Sequence, residues 1–148
     1  MLSRLWLVLS LLISTGVCAA TLDIVVEDPN EYAQSCGLSK GGLTSRGHLA
    51  LRAGGVQTST SEVGHLYISV AAASQAGGCM AAVLVAIRQP ATLIKGAQFK
   101  AINGDALVFA DVCTDGGVIV GPRNGFSKQV EDAVEAYATN CLGELEYK

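Results

Sequence analysis

The chain is poor in the residues that usually announce a chemistry. Aromatic residues make up 5% of 148 positions, and there are two histidines, three prolines and one tryptophan. His48 and His65 have neither a second histidine nor a carboxylate at metal-ligand spacing, so both read as surface residues and no metal is expected. No two cysteines stand as C-x-x-C, which argues against a zinc ribbon or a thioredoxin-type redox pair. No basic run occurs, so nucleic acid is not an expected partner. G-x-G-x-x-G, Gly-Lys-Ser/Thr and the D-x-[DN]-x-[DN]-G loop are all missing, so nucleotides and calcium have no recognisable cradle and no cofactor is expected. The N-x-[ST] glycosylation acceptor is missing as well.

What is present begins at the N-terminus. Arg4 precedes an apolar run from Leu5 to Ile13, followed by Ser14, Thr15, Gly16 and the small residues Cys18, Ala19 and Ala20. A charged start, a short apolar stretch and an A-x-A-like site form the pattern of a secretory signal peptide, residues 1–20. The run is shorter than the roughly 20 apolar residues that span a bilayer. No second apolar stretch of that kind follows, so no membrane span is expected after signal removal. The expectation is therefore export, to the periplasm or the extracellular space, with residues 21–148 forming a single α+β domain. With Arg4 removed, nine Lys and Arg face thirteen Asp and Glu, a formal charge of −4. Export gives the cysteines their meaning. Cys36, Cys79, Cys113 and Cys141 form an even set in an oxidising compartment and read as two structural disulfides with three possible connectivities.

Periodicity supplies the elements. Leu22–Val26 reads as a strand stopped by Asp28, Pro29 and Asn30. Ser39 caps a helix reaching about Ala53, with Leu43, Gly47, Ala50, Leu51 and Gly54 as its inward stripe. Val56–Ser59 can form a second strand. His65–Ala73 alternates Leu66, Ile68 and Val70 against His65, Tyr67 and Ser69. Cys79–Arg88 returns through a hairpin-length connection, and Ala106–Cys113 is a further strand. Asp115-Gly116-Gly117 reads as a turn, which also explains Asp111 and Asp115 without a carboxylate site. A final amphipathic helix opens at Asn124 and presents Phe126, Val130, Ala133, Val134, Tyr137 and Cys141 inward. Its other face carries Glu131, Asp132 and Glu135, read as solvated charge. The order β-α-β-β-β-β-α predicts a mainly antiparallel sheet with two helices packed on one face.

Pairing the strands from Cys79 and Ala106 antiparallel about Gly96 sets Val83 against Phe109, Val85 against Leu107, and Cys79 against Cys113. The expected disulfides in that register are Cys79–Cys113 and, by remainder, Cys36–Cys141. If Leu66, Ile68, Val70, Leu84 and Val108 face the helices, then Tyr67, Val83, Val85, Ile87, Leu107 and Phe109 form an uncovered apolar face. Such a patch suits a protein partner or self-association. The competing arrangement covers it with the segment Gln89–Asp105, or slips the register by one residue and exchanges the faces.

One motif hints at catalysis. Gly37-Leu38-Ser39-Lys40-Gly41 matches the G-x-S-x-G of hydrolases, but the residues before it do not read as the strand that a nucleophile elbow needs. Ser39 as a helix N-cap accounts for the same residues. A small secreted serine hydrolase using Ser39 therefore stands as the alternative to a non-catalytic binding or envelope-accessory module.

Leu49-Ala50-Leu51-Arg52-Ala53-Gly54-Gly55-Val56, His65-Leu66-Tyr67-Ile68-Ser69-Val70, the strand Cys79–Gln89 and the C-terminal amphipathic helix together resemble a family of small, uncharacterised bacterial periplasmic (envelope) proteins. The resemblance implies an α+β layer fold and a place in the envelope. It implies no catalytic residues. The glycines of the first helix depart from the more regular helix of that pattern.

Overall fold

The computed structural model describes residues 21–58, 64–75, 77–92 and 107–145. Eight elements follow in order: β1 (Thr21–Val26), α1 (Glu31–Ser35), α2 (Lys40–Ala53), β2 (Gln57–Thr58), β3 (His65–Gln75), β4 (Gly78–Thr92), β5 (Leu107–Gly121) and α3 (Phe126–Glu144). The expected signal segment, residues 1–20, lies outside the described residues.

The sheet runs β2-β1-β3-β4-β5. β1 is parallel to both β2 and β3, whereas β3, β4 and β5 are antiparallel neighbours. The sheet is therefore mixed rather than mainly antiparallel, and among the described residues three helices rather than two accompany it. The first correction follows from the crossover: α2 carries the chain back along the sheet, so β2 starts again in the direction of β1. The second comes from Asn30. Its side chain accepts from the Ala33 amide at 2.9 Å and donates to the Ala72 carbonyl at 2.9 Å, which nucleates α1 and pins it to the end of β3.

α2 begins after Ser39, whose hydroxyl accepts from the Gly42 amide at 3.1 Å, and it buries Leu43, Gly47, Ala50 and Leu51. Gly54 ends it and is exposed. Gly47 is the reason this glycine-rich helix sits close to the sheet. A Cβ there would lie 3.1 Å from Ile68 Cδ1 and 3.3 Å from Ile24 Cγ2. α3 starts one residue later than the Asn124 expectation. Its N-cap is Gly125 at φ 79°, a left-handed conformation that glycine adopts without strain, and no side chain caps the helix. α3 buries Phe126, Val130, Val134, Ala138, Cys141 and Leu142.

Arg46 fastens the two long helices. Its guanidinium reaches Glu135 at 2.9 Å, Asp132 at 3.2 Å and Glu131 at 3.6 Å. The carboxylates read as merely solvated thus form an inter-helix clamp, and they hold Arg46 above the ordinary arginine range, the Glu135 hydrogen bond first among the causes.

β5 is one strand through Asp115-Gly116-Gly117, not a strand ended by a turn. Cys79 lies opposite Gly121, and the ladder runs to Ile87 opposite Cys113. A bulge follows, after which Arg88 lies opposite Asp111. Gly116 permits this. A Cβ there would stand 2.3 Å from the Val83 carbonyl oxygen, so only glycine fits beside β4 at that level. With Cys113 displaced from Cys79, the bonds are Cys36–Cys79 and Cys113–Cys141, with Cα–Cα separations of 6.1 and 5.5 Å. The first joins the end of α1 to the start of β4, and the second joins β5 to α3. Loops of 43 and 28 residues are closed. In the chain-entropy model each closure stabilises by about 4 kcal/mol.

The core lies between the helices and one face of the sheet. Leu22 and Val26 of β1, Leu66, Ile68 and Val70 of β3, and Val83, Val85 and Ile87 of β4 pack there with the buried helix stripes. Among the described residues no buried side chain is polar or charged.

Candidate functional site: the open face of the sheet

Alternation along paired strands fixes what the other face carries. Reading across the register, successive rows are His65, Arg88 and Asp111; then Val25, Tyr67, Ala86 and Thr114; then Ser69, Leu84 and Gly116; then Ala71, Ala82 and Val118; and last Ala73, Met80 and Val120. Pro90 and Phe109 stand opposite one another beyond the first row. Among the described residues no helix contributes to this face, and it divides into two sectors.

The first sector is polar and tightly interconnected. Glu27 follows β1, and its carboxylate accepts from Tyr67 Oη and, at 2.7 Å, from Ser69 Oγ. The Arg88 guanidinium lies 3.5 Å from the centre of the Tyr67 ring, and its Nε donates to Asp111 Oδ1 at 2.8 Å. Stacking and pairing hold Arg88 in one pose. The His65 ring packs against Phe109 with centroids 5.0 Å apart. The Tyr67 hydrogen bond, then that of Ser69, lowers the Glu27 carboxyl below its ordinary value. The same Glu27 contact raises the Tyr67 phenol. Near neutral pH this sector presents an ionised acceptor, a neutral phenol and a fixed guanidinium. The lowering moves Glu27 away from the pKa a general base would need.

The second sector is apolar. Ala71, Ala82 and Gly116 leave a trough of about 600 Å³, edged by Ser69, Leu84, Thr114 and Val118. Nine large apolar side chains are exposed among the described residues, and Val25, Met80, Leu84, Phe109, Val118 and Val120 occupy open-face positions. Tyr32 and Leu49 lie on helices and Val112 at the bulge. The exposed apolar surface is thus concentrated here.

Of the residues expected to make an uncovered face, Tyr67 and Phe109 lie on it, half-exposed and exposed. Val83, Val85 and Ile87 are in the core, at 3%, 0% and 0% exposure, and Leu84 stands outside at 39%. The Leu107 side chain lies outside the described residues, as does most of the segment Gln89–Asp105. β4 is apolar at nearly every position, so its alternation is faint. Two signals were nonetheless present. The β-branched residues Val83, Val85 and Ile87 share one parity, and the charged Arg88 has the other. Glu27, Met80, Val118 and Val120 went unnoticed because their importance depends on pairing partners far away in sequence.

The other candidate positions are placed plainly. Ser39 is the cap of α2, preceded by α1 rather than by a strand, and neither His48 nor His65 hydrogen-bonds to it. His48 is exposed on α2. Asp115 accepts from Asn140 of α3 at 3.0 Å and from the Gly116 amide at 2.7 Å. Among the described residues no group of three or more His, Cys, Asp and Glu is placed to hold a metal ion, and no helix is long and apolar enough to cross a membrane. The chain is a small disulfide-bonded α+β domain.

No protein-family model, curated protein or solved structure matches the chain.

Proposed function

We propose that the mature chain is an exported, non-catalytic binding or envelope-accessory module that takes a protein partner on the open face of β3, β4 and β5. The observation carrying this reading is the concentration of exposed apolar side chains around one trough, rimmed on one side by the Glu27–Tyr67–Arg88–Asp111 network. An apolar centre with a polar rim is the anatomy of protein interfaces, and patches of this kind are uncommon on surfaces that stay in water. The signal-like N-terminus and the cysteine usage support a periplasmic or extracellular setting.

The test is photo-crosslinking in the native host. A crosslinking residue at position 84 is compared with one at position 49, exposed on the helix side. The expected result is a discrete protein adduct from position 84 only, lost on adding Ala82→Lys. Equal labelling from both positions, or none from position 84, overturns the reading.

A further inference from the structure

The free edge of β5 differs between its two halves. Among the described residues β5 is paired along one side only, by β4. Its first half carries devices that discourage edge pairing: a bulge beside Val112 and the charge of Asp111. From Cys113 to Gly121 the ladder is unbroken. The one charged residue there, Asp115, is turned to the helix side and held by Asn140. This bare half also bears Val118 and Val120, which at 66% and 57% are the two most exposed large apolar side chains among the described residues. An unbroken edge whose one charge is turned to the helix side is a template for another strand.

We propose that two copies of this chain pair through that half of β5, antiparallel about a two-fold axis at Ile119. A two-fold contact must be self-complementary. With Ile119 on the axis, Val118 of each copy stands opposite Val120 of the other, on the open face. Extending the register two residues past the end of β5 brings Arg123 of each copy near Asp115 of the other. Arg123 is exposed and makes no salt bridge to any described carboxylate, so the register brings opposite charges together. The two five-stranded sheets become one, and the Met80–Val118–Val120 ends of the two open faces merge across the axis. This pairing goes beyond the face reading: it uses main-chain groups at the edge and requires nothing in the trough.

The experiment is sedimentation velocity on the mature, oxidised chain over a concentration series, joined to hydrogen exchange of the β5 amides. The expected result is a concentration-dependent dimer with Cys113–Gly121 amides protected in step with dimerisation. Val118→Lys with Val120→Lys should weaken it about tenfold or more, and Leu84→Glu should leave it intact. A monomer at every concentration overturns the proposal. So does a dimer that survives the two lysines, or one that Leu84→Glu dissolves. Loss of position-84 crosslinks with the dimer intact would instead count against the face reading alone.

Discussion

The two faces of β4 are built from nearly the same kind of residue and end in opposite environments. Val83, Val85 and Ile87 are buried on the face that α3 covers, while Met80, Leu84 and Arg88 look away from the described helices. Hydrophobicity alone does not separate the two sets. Shape and neighbours do: β-branched side chains fill the layer beneath the helices, and the outer set is mixed with alanine, charge and a thioether. A buried valine has no alternative to its packing partners, whereas an exposed leucine on a face lined with alanine and glycine is free to meet something else.

The sharpest way to break the comparison is to place one charge on each side. Val85→Asp leaves a carboxylate in the core and should destabilise by about 4 kcal/mol or more. Leu84→Asp, one residue away, should remain within about 0.5 kcal/mol of the parent. Urea unfolding of the oxidised chain reads both, and similar losses would mean that the faces are not as distinct as described. A smaller effect is expected at Ser39→Ala. Loss of the cap to the Gly42 amide should cost about 1 kcal/mol, read as a shift of the urea midpoint with unchanged slope. No shift would remove the capping role and reopen the question of what the hydroxyl does.

The smallest effect sharpens the polar sector. Glu27 is lowered by its hydrogen bonds from Tyr67 and then Ser69, so its contribution to stability is present above the ordinary carboxylate range and is lost as pH falls through its depressed value. Tyr67 is raised, so its contribution is present below the ordinary phenol range and fades as pH rises through the higher value. Carboxyl titration followed by NMR should show Glu27 moving back toward the ordinary value in Tyr67→Phe. A Glu27 that titrates identically in both proteins would dismiss the network.

Much of the local structure was legible because it is written in short-range periodicity. The cap at Ser39, the stripe Leu43, Gly47, Ala50 and Leu51, and the alternation Leu66, Ile68, Val70 all lie within single elements. What was not legible depends on distant parts of the chain. Asp115-Gly116-Gly117 has the composition of a turn, and only the nearness of the Val83 carbonyl shows that the glycines serve a close strand approach. The register expected about Gly96, chosen partly to bring Cys79 opposite Cys113, is off by eight residues: Gly121 lies opposite Cys79, and the disulfide pairing differs with it. α1 was missed because five residues are too few for a helical period to show. The parallel pairing of β1 was missed because strand direction leaves no mark on composition.

The disulfides also bear on how the fold is reached. The four cysteines among the described residues pair in chain order, Cys36 to Cys79 and Cys113 to Cys141, and the two loops do not interleave. If the chain is exported as proposed, threading through a translocon N-terminus first would present its thiols in that order, with Cys36 and Cys79 available to each other before Cys113 emerges. Order of emergence and native connectivity coincide. An oxidase that joins thiols as they appear then arrives at the native pairs directly, and the slow reshuffling through mixed disulfides that interleaved pairings demand is not a necessary stage in the maturation of this domain.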